Sequence, residues 1–327
     1  MKKVLLSEKI DDAGIELLKK NGFDVRISPS TEHSIMKQEI KDAYAVIMRS
    51  STLPKEVIEA GQELKIISRN GTGINNVDVE AATENNILVA KVNGANAYAV
   101  AEYVISTMLM LSRNLLKTDQ LLHEKKDELS GLSLPGFSTK YNLNGHELKG
   151  QTLGILGLGH IGQILAKLAQ AFGMNVIAYD PFLKEASVEL YSELDDVLKK
   201  VDFLSINMPL TPQTENMIAA KELKLMKSSA FVINSARGGI VNEEDLAVAL
   251  NNDELAGAAI DAFESEPPRP DEPLFTSKNT IITSHVAGTT YEANKALGLG
   301  AAQAIIDFSN DKMPQFPVNP DVFEGVK

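Results

Sequence analysis

The chain has 327 residues, of which 44% are hydrophobic and 23% charged, a composition typical of a globular protein large enough for two domains. Its 44 acidic and 32 basic residues give a net charge of −12, which disfavours general binding to nucleic acid or to an anionic membrane. Cysteine is absent, so disulfides, thiolate metal sites and cysteine nucleophiles are excluded, and we expect a cytoplasmic protein. No secretory signal, membrane span or metal site is predicted.

The first hundred residues alternate short β-branched runs with amphipathic segments, which predicts a parallel sheet with helices on both faces. The predicted strands are Lys3–Ser7, Phe23–Ile27, Tyr44–Met48, Lys65–Arg69 and Ile87–Val92. The predicted helices lie at 11–21, 31–42, 54–61 and 79–86.

A long apolar segment then interrupts the alternation. Residues 97–126 are predicted to form a helix that is almost wholly apolar from Ala97 to Met110. A helix of this composition is buried, either between domains or in a subunit interface, so we expect at least a homodimer. Residues 127–145 contain Gly, Ser, Pro and Asn with little periodicity and are predicted to be irregular.

A second alternating series follows and predicts a second sheet. Its strands are predicted at Thr152–Leu158, Asn175–Asp180, Phe203–Asn207, Phe231–Ser235, Gly257–Ala262 and Ile281–Ser284. Its helices are predicted at 161–173, 193–200 and 243–250, and a last helix at 291–308. Ser192, with Asp195 three residues later, indicates a capped start for the 193–200 helix.

The glycine pattern Gly157, Gly159 and Gly162 lies between an apolar strand and a helix, the context that dinucleotide binding requires. Asp180 ends the next strand and can accept hydrogen bonds from both ribose hydroxyls of NAD, while its charge repels the 2′-phosphate of NADP. No arginine is adjacent to Asp180. The pattern therefore predicts NAD as the cofactor.

Arginine is scarce, with six residues against 26 lysines, so each arginine asks for a reason. Arg237 follows an apolar strand, at the edge of the sheet where α/β proteins bind ligands, and its planar guanidinium suits a carboxylate. Arg49 and Arg69 also end predicted strands and are candidate anion contacts, although surface ion pairs would explain them equally well. His285 is a candidate acid or base, with Glu266 available to tune it.

Several segments resemble those of the D-isomer-specific 2-hydroxyacid dehydrogenases, and within that family the similarity is greatest to the D-3-phosphoglycerate dehydrogenases. These segments are Arg69–Asp78, 93–102, Gly157–Gly162 with Tyr179–Pro181, Asn234–Gly239, Ala258–Glu264 and His285–Gly288. The resemblance implies two doubly wound parallel-sheet domains with the active site in the cleft between them. A flavodoxin-like substrate domain would comprise residues 1–97 and 290–327, and a Rossmann NAD domain residues 98–289.

The resemblance also implies roles for individual residues. His285 is the acid or base, Glu266 its partner, and Arg237 binds the substrate carboxylate and polarises the reacting oxygen. Asp261 is implied to contact the nicotinamide carboxamide. Further cofactor contacts are implied at His160, Ile161, Met208, Pro209, Ser235, Ala236, His285 and Gly288. Substrate contacts are implied at Arg49, Ser50, Arg69, Asn70, Gly71, Thr72, Gly73 and Arg237.

The expected reaction is reversible hydride transfer between nicotinamide and C2 of a small, anionic D-2-hydroxy or 2-keto acid. Three arginines could together bind a doubly charged ligand, which favours D-3-phosphoglycerate as the substrate. The regulatory domains of longer family members are not expected in this chain. The alternative is a general 2-ketoacid reductase acting on hydroxypyruvate, glyoxylate or a branched ketoacid. More remote alternatives are an NAD-sensing scaffold, and a formate or phosphite dehydrogenase, which would leave Arg49 and Arg69 without a partner.

Overall fold

The computed structural model describes residues 1–325, which form two compact α/β units. One unit comprises Met1–Asn96 and the segment that begins at Thr289, and the other is Ala97–Gly288. Within each of the two sheets, all neighbouring strands of the described residues pair in parallel. The prediction of two parallel-sheet α/β domains is confirmed. Within the described residues, no helix has the length and apolar character needed to cross a membrane.

Twelve strands are numbered in chain order. They are β1 (Lys3–Leu6), β2 (Asp24–Ile27), β3 (Ala45–Met48), β4 (Ile66–Arg69), β5 (Leu88–Lys91), β6 (Thr152–Leu156), β7 (Asn175–Tyr179), β8 (Glu189–Tyr191), β9 (Phe203–Ile206), β10 (Phe231–Asn234), β11 (Gly257–Ile260) and β12 (Thr280–Ile282). The first unit has the order β2-β1-β3-β4-β5 and the second β12-β11-β10-β9-β6-β7-β8.

The α-helices are numbered in the same way, and two short 3-10 helices lie at Lys126–Leu129 and Pro273–Thr276. The α-helices are α1 (Asp12–Lys20), α2 (His33–Glu39), α3 (Lys55–Ile58), α4 (Val79–Glu84), α5 (Ala97–Ser112), α6 (Leu115–Glu124), α7 (Leu134–Lys140), α8 (His160–Ala171), α9 (Leu194–Leu198), α10 (Ala220–Leu223), α11 (Glu243–Asn251), α12 (Tyr291–Ser309) and α13 (Val322–Gly325).

Alternate residues of each strand point to opposite faces of the first sheet, and helices cover both faces, so the side chains on both sides are buried. Val4 and Leu6 of β1 belong to one apolar cluster, which α1 and α12 complete, whereas Leu5 belongs to another, covered by α2, α3 and α4. Helices α1 and α12 pack closely, since a Cβ added to Gly14 would lie 2.5 Å from the carbonyl oxygen of Gly298. Helix α12 is therefore part of the first unit's core.

The second sheet follows the same rule. Leu153 and Ile155 of β6 pack in a cluster with α5 and α8, whereas Leu156 packs in the cluster on the other face. Helix α5 lies against α8, β10 and β11 of its own unit. Packing inside this unit accounts for the buried residues of α5, and the expectation of a homo-oligomer stays a prediction.

The stretch 97–126 differs from the predicted single helix. Asn114 adopts a left-handed conformation with φ of 52° and separates α5 from α6. Asparagine tolerates this conformation better than most residues, so the chain can turn there. The irregular segment predicted at 127–145 is also wrong, since it contains α7, whose start is capped by Ser133 and has a proline in the first turn.

A few shorter elements also differ from the sequence prediction. Helix α9 begins after Glu193 with no side-chain cap, so the predicted cap at Ser192 is wrong. The edge strand β8 and the one-turn helices α10 and α13 were not predicted. These elements are too short to show a hydrophobic period, which needs several turns of helix or several strand residues.

Candidate active site

The register of the second sheet aligns the ends of six strands. Across the sheet, Tyr179, Leu156, Ile206, Asn234, Ile260 and Ile282 lie side by side. Since all strands are parallel, the residues that follow this row leave the sheet at one edge. That edge carries the predicted site residues Gly157–Gly162, Asp180, Met208, Pro209, Ser235–Arg237, Asp261 and His285–Gly288. Ligands of open α/β sheets bind at this edge.

The three glycines of the loop between β6 and α8 meet different requirements. Gly157 has φ of +92°, which disfavours other residues. A Cβ on Gly162 would overlap the carbonyl oxygen of Gly157, so strand and helix approach there too closely for a side chain. A Cβ on Gly159 would meet nothing within 4 Å, which leaves open space at the start of α8. The N–H groups of the first turn of α8 face that space and suit a pyrophosphate.

Asp180 anchors the backbone next to this loop. Its Oδ2 accepts a hydrogen bond from the N–H of Leu158 at 2.9 Å, and its Oδ1 accepts one from the N–H of Phe182 at 3.0 Å. A carboxylate has about four lone-pair positions, so each oxygen can accept another donor, such as a ribose hydroxyl. The buried hydroxyl of Ser235 has no hydrogen-bond partner among the described residues. These features fit a dinucleotide.

His285 and Glu266 form a close pair. The Nδ1 of His285 lies 2.9 Å from both carboxylate oxygens of Glu266. The hydrogen bond with Glu266 raises the pKa of His285, although burial opposes the rise. Burial would raise the pKa of Glu266, but its hydrogen bond with His285, the positive charges of His285 and Arg237, and the N–H of Phe263 together outweigh burial, and the pKa is lowered. The pair therefore favours an imidazolium beside a carboxylate, with Nε2 left for a ligand.

Asp261 holds the segment that carries His285. Its Oδ1 accepts hydrogen bonds from the N–H of Val286 at 2.8 Å and the hydroxyl of Thr283 at 2.5 Å, and its Oδ2 accepts one from the N–H of Ala287 at 2.8 Å. The hydroxyl of Tyr103 in α5 lies 2.7 Å from that of Thr283. Burial raises the pKa of Tyr103 to about 12. The implied contact between Asp261 and the nicotinamide remains a prediction.

Arg237 follows β10 in a tightly packed loop. Its Nη1 donates a hydrogen bond to the carbonyl of Ala236 at 2.6 Å. A Cβ on Gly238 would overlap the backbone of Phe263 and Glu264, so the Arg237 loop and the turn leading to Glu266 pack backbone against backbone. The positive charge of Arg237 acts on both members of the pair. It opposes the rise in the pKa of His285 and adds to the lowering of the pKa of Glu266. The structure thus brings the predicted trio together.

In the first unit, the predicted substrate contacts lie at the corresponding edge, after β3 and β4. The carboxylate of Glu8, a residue not predicted from the sequence, already binds the backbone N–H groups after β3. Its Oε2 accepts hydrogen bonds from the N–H groups of Ser50 at 2.7 Å and Ser51 at 2.9 Å. Burial opposes ionisation of Glu8, but these bonds and the charge of Arg49 keep its pKa lowered. The Nη1 of Arg49 donates to the carbonyl of Lys9 at 3.3 Å.

Arg69 is held within its own unit. Its Nε donates to Oδ1 of Asn76 at 3.0 Å and its Nη1 donates to the carbonyl of Asn70 at 2.8 Å. The following loop returns to β5, where the hydroxyl of Thr72 donates to the carbonyl of Val92 at 3.1 Å. The predicted residues Arg69, Asn70 and Gly71–Gly73 thus form one ordered turn. Asn70 also has a buried side-chain oxygen without a partner among the described residues.

Other residues of the site were not found from the sequence. Tyr103, Thr283 and Glu243 each contact the site's framework, but only Tyr103 carried a signal, as a hydroxyl on an otherwise buried apolar helix. Glu243 resembles any acidic residue in the first turn of a helix, where such residues are common on the surface.

The comparisons with known proteins agree with this geometry. Residues 105–287 match the profile of the D-isomer specific 2-hydroxyacid dehydrogenase NAD-binding domain. A D-3-phosphoglycerate dehydrogenase of Methanocaldococcus jannaschii is 37% identical over 98% of the chain, which spans 60% of that relative's length. A putative 2-hydroxyacid dehydrogenase of Staphylococcus aureus is 36% identical, over 98% of the chain and 100% of its own length.

Among solved structures, an NADPH-dependent glyoxylate/hydroxypyruvate reductase of Sinorhizobium meliloti, in complex with citrate, is similar along most of its length. The TM-score is 0.86 with 25% identity, covering 97% of this chain and 98% of that one. The likeness covers both α/β units.

Proposed function

This chain belongs to the D-isomer-specific 2-hydroxyacid dehydrogenase family, and on that premise we propose that it interconverts a small D-2-hydroxy acid and its 2-keto acid with the trio Arg237, Glu266 and His285. A bound nicotinamide dinucleotide supplies or accepts the hydride. The N–H groups at the start of α8 would hold its pyrophosphate, and Asp180 its ribose.

The proton is handled by His285. In reduction, imidazolium His285 gives a proton from Nε2 to the substrate oxygen at C2, while Nδ1 stays hydrogen-bonded to Glu266. Arg237 binds the substrate carboxylate and stabilises negative charge on that oxygen. In oxidation, neutral His285 removes the hydroxyl proton. The single observation that carries this proposal is the 2.9 Å pairing of His285 with both oxygens of Glu266.

Replacing His285 tests the proposal. His285 has φ of 57°, a conformation that asparagine tolerates better than alanine, so His285→Asn is the least disruptive choice. We expect turnover to fall by roughly 10²–10⁴-fold, the usual worth of acid–base catalysis. NADH binding, followed by the fluorescence of the reduced nicotinamide, should be retained. His123→Asn, on an exposed helix position, is the control and should leave turnover unchanged. Near-normal turnover of His285→Asn would refute the assignment.

The proposed substrate is D-3-phosphoglycerate. It is supported by the similarity to a D-3-phosphoglycerate dehydrogenase and by two arginines of the first unit, Arg49, which follows β3, and Arg69, which ends β4. One observation favours the second candidate, a reductase of unphosphorylated 2-ketoacids such as hydroxypyruvate. The carboxylate of Glu8 already occupies the N–H groups of Ser50 and Ser51 and partly neutralises Arg49. A phosphate would have to share this position with a fixed negative charge.

Arg49→Ala distinguishes the two substrates. Loss of a charged hydrogen bond worth about 1.5–3 kcal/mol should raise KM for D-3-phosphoglycerate by about 10–150-fold, with little change for hydroxypyruvate. Arg26→Ala is the matched control, because Arg26 lies in the same unit and pairs with Asp42 at the surface. If the unaltered enzyme ignores phosphorylated acids, the second candidate is supported instead.

NAD as the preferred cofactor and a homo-oligomeric state complete the proposal. The carboxylate of Asp180 supports NAD, and the oligomeric state is to be measured by light scattering on the purified protein.

A further inference from the structure

Two buried acidic residues lie behind the turn that carries Glu266, and the catalytic trio does not use them. Glu243 begins α11 with 8% of its surface exposed, and Glu272 precedes the second 3-10 helix with 4% exposed. Neither forms an ion pair with a lysine, arginine or histidine within the described part of the chain. Burying one uncompensated carboxylate is costly, and burying two side by side more so.

The side chains of Glu243 and Glu272 lie within hydrogen-bonding reach of each other. Two ionised carboxylates have no proton to donate, so a hydrogen bond between these side chains requires a proton on one carboxyl group. Burial raises the pKa of Glu243 to about 7, and the neighbouring carboxylates of Glu272 and Glu264 add to the rise. Below about pH 7, Glu243 therefore carries a proton that it can share with Glu272.

Glu243 also reaches the turn directly. Its Oε1 accepts a hydrogen bond from the N–H of Glu264 at 2.6 Å. The preceding N–H, of Phe263, donates to Oε1 of Glu266 at 3.3 Å, and Glu266 is the partner of His285. Consecutive amide groups thus connect the buried pair to the carboxylate that tunes the catalytic histidine.

We propose that Glu243 and Glu272 are positioning residues, a buried pair of side chains that fixes the Phe263–Glu266 turn through the N–H of Glu264 and thereby holds the Glu266 carboxylate against His285. This inference rests on the proposed role of His285. It assigns the pair an effect on His285 through geometry, without contact between either carboxyl and a reacting atom.

The other charged groups around Glu243 have partners of their own or lie on the turn. On α11, Glu244 lies 3.9 Å from Arg269, and Asp245 accepts the N–H of Ala220 at the start of α10. On α10 itself, Lys221 pairs with Glu222 at 3.4 Å. On the segment before the 3-10 helix, Arg269 also lies 4.0 Å from Asp271. From the turn, the negative charge of Glu264 favours retention of the proton on Glu243.

The test uses three variants of the full chain. Glu243→Gln keeps an oxygen for the N–H of Glu264 and an amide donor for Glu272, so it imitates the protonated form. Glu243→Ala removes both bonds. Glu244→Gln changes a neighbouring acidic residue on the same helix whose side chain is 79% exposed, and it serves as the matched control.

The first measurement is the titration of His285 by NMR of its imidazole carbon-bound proton, without cofactor. The sequence contains five histidines, and His285→Asn identifies the signal. We expect Glu243→Ala to lower the pKa of His285 toward the ordinary value of about 6.5, because Glu266 is released. Glu243→Gln and Glu244→Gln should titrate as the unaltered protein does. Loss of stability alone would not move this pKa.

The second measurement is the pH profile of ketoacid reduction. Reduction needs protonated His285, so the rate falls as pH rises through the pKa of His285. In Glu243→Ala, this fall in rate should occur at lower pH than in the unaltered protein. In Glu243→Gln, it should occur at the same pH as in the unaltered protein. If Glu243→Ala does not fold, Glu243→Asp, whose side chain is one methylene shorter, replaces it, and the same downward shift is expected.

A folded Glu243→Ala or Glu243→Asp protein with an unaltered His285 titration would overturn the inference. Its failure is distinct from failure of the proposed function, which would appear as near-normal turnover of His285→Asn whatever the state of Glu243.

Linkage gives an independent check on the shared proton. The pKa of Glu243 is raised in the fold, so its contribution to stability is complete below about 4.5, its ordinary value, and is lost as pH rises through about 7. The Tm of the unaltered protein should therefore fall relative to that of Glu243→Gln across this window. Parallel Tm curves for the two proteins would rule out the shared proton.

Discussion

His285 takes part in two sets of hydrogen bonds with different consequences. Its side chain meets Glu266, whereas its backbone N–H donates to the carbonyl of Asp261 at 2.9 Å. The carboxylate of Asp261 also holds the next two N–H groups. The first set adjusts the proton affinity of the imidazole, and the second fixes where the imidazole lies. A substitution at Glu266 should therefore alter the pH profile more than the position of the ring.

At the same scale, we expect Asp180 to determine the preference between NADH and NADPH. Asp180→Asn keeps an oxygen that can accept one of the N–H groups of Leu158 and Phe182, but removes the negative charge. Repulsion of the 2′-phosphate of NADPH then disappears, so the preference for NADH over NADPH should fall by about tenfold. The Kd values are measured from nicotinamide fluorescence. Lys184→Ala, nearby and exposed, is the control; a preference for NADPH in the unaltered protein would contradict the proposed role of Asp180.

At the scale of elements, the junction of β6 and α8 separates binding from folding. Gly159 faces open space, whereas Gly162 packs against the backbone of Gly157. An added methyl group should therefore affect cofactor binding at Gly159 and folding stability at Gly162. At Gly159 it intrudes on the place proposed for the pyrophosphate, and at Gly162 it forces strand and helix apart.

We predict that Gly159→Ala folds with little change in Tm but binds NADH at least about tenfold more weakly, since a methyl group would displace a charged hydrogen bond. Gly162→Ala should instead lower Tm by several degrees, because it costs on the order of 1–3 kcal/mol of overpacking. Thermal unfolding without cofactor and NADH titration of both variants provide the measurements. Equal losses of Tm in the two variants would contradict the distinction.

The same elements show how far sequence alone carries the fold and the site. The strand, glycine loop and helix at 152–171 were predictable because period and turn residues agree there. The break at Asn114 was not, since left-handed asparagine leaves no mark in hydrophobic periodicity. Glu243, Glu272 and Glu8 were missed because burial of a carboxylate depends on partners distant in sequence.

At the scale of the whole molecule, each apolar cluster draws all its members from one unit. Two clusters belong to the unit Ala97–Gly288, and the other two belong to the unit that combines the N-terminal residues with α12. The unit Ala97–Gly288 is continuous in sequence, whereas the other unit is made of two separate segments.

Residues 97–288, produced alone, should therefore fold cooperatively and bind NADH, but should not turn over substrate. Circular dichroism and NADH fluorescence test this prediction. The complementary piece, residues 1–96, should not fold cooperatively, because α12 supplies Leu297, Ala301 and Ile305 to its core. A cooperative transition for residues 1–96 would contradict the described packing.

The close fit of Gly14 against Gly298 has a further consequence during synthesis on the ribosome. The N-terminal sheet emerges first, but the face that α1 and α12 cover together is not completed until Ser309 has been made. At ~5–20 residues per second, the chain from Asn96 to Ser309 takes roughly 10–40 s. During this interval the later unit can complete its folding while the earlier one waits with apolar side chains exposed. We therefore expect chaperones to bind the nascent N-terminal segment rather than the later unit.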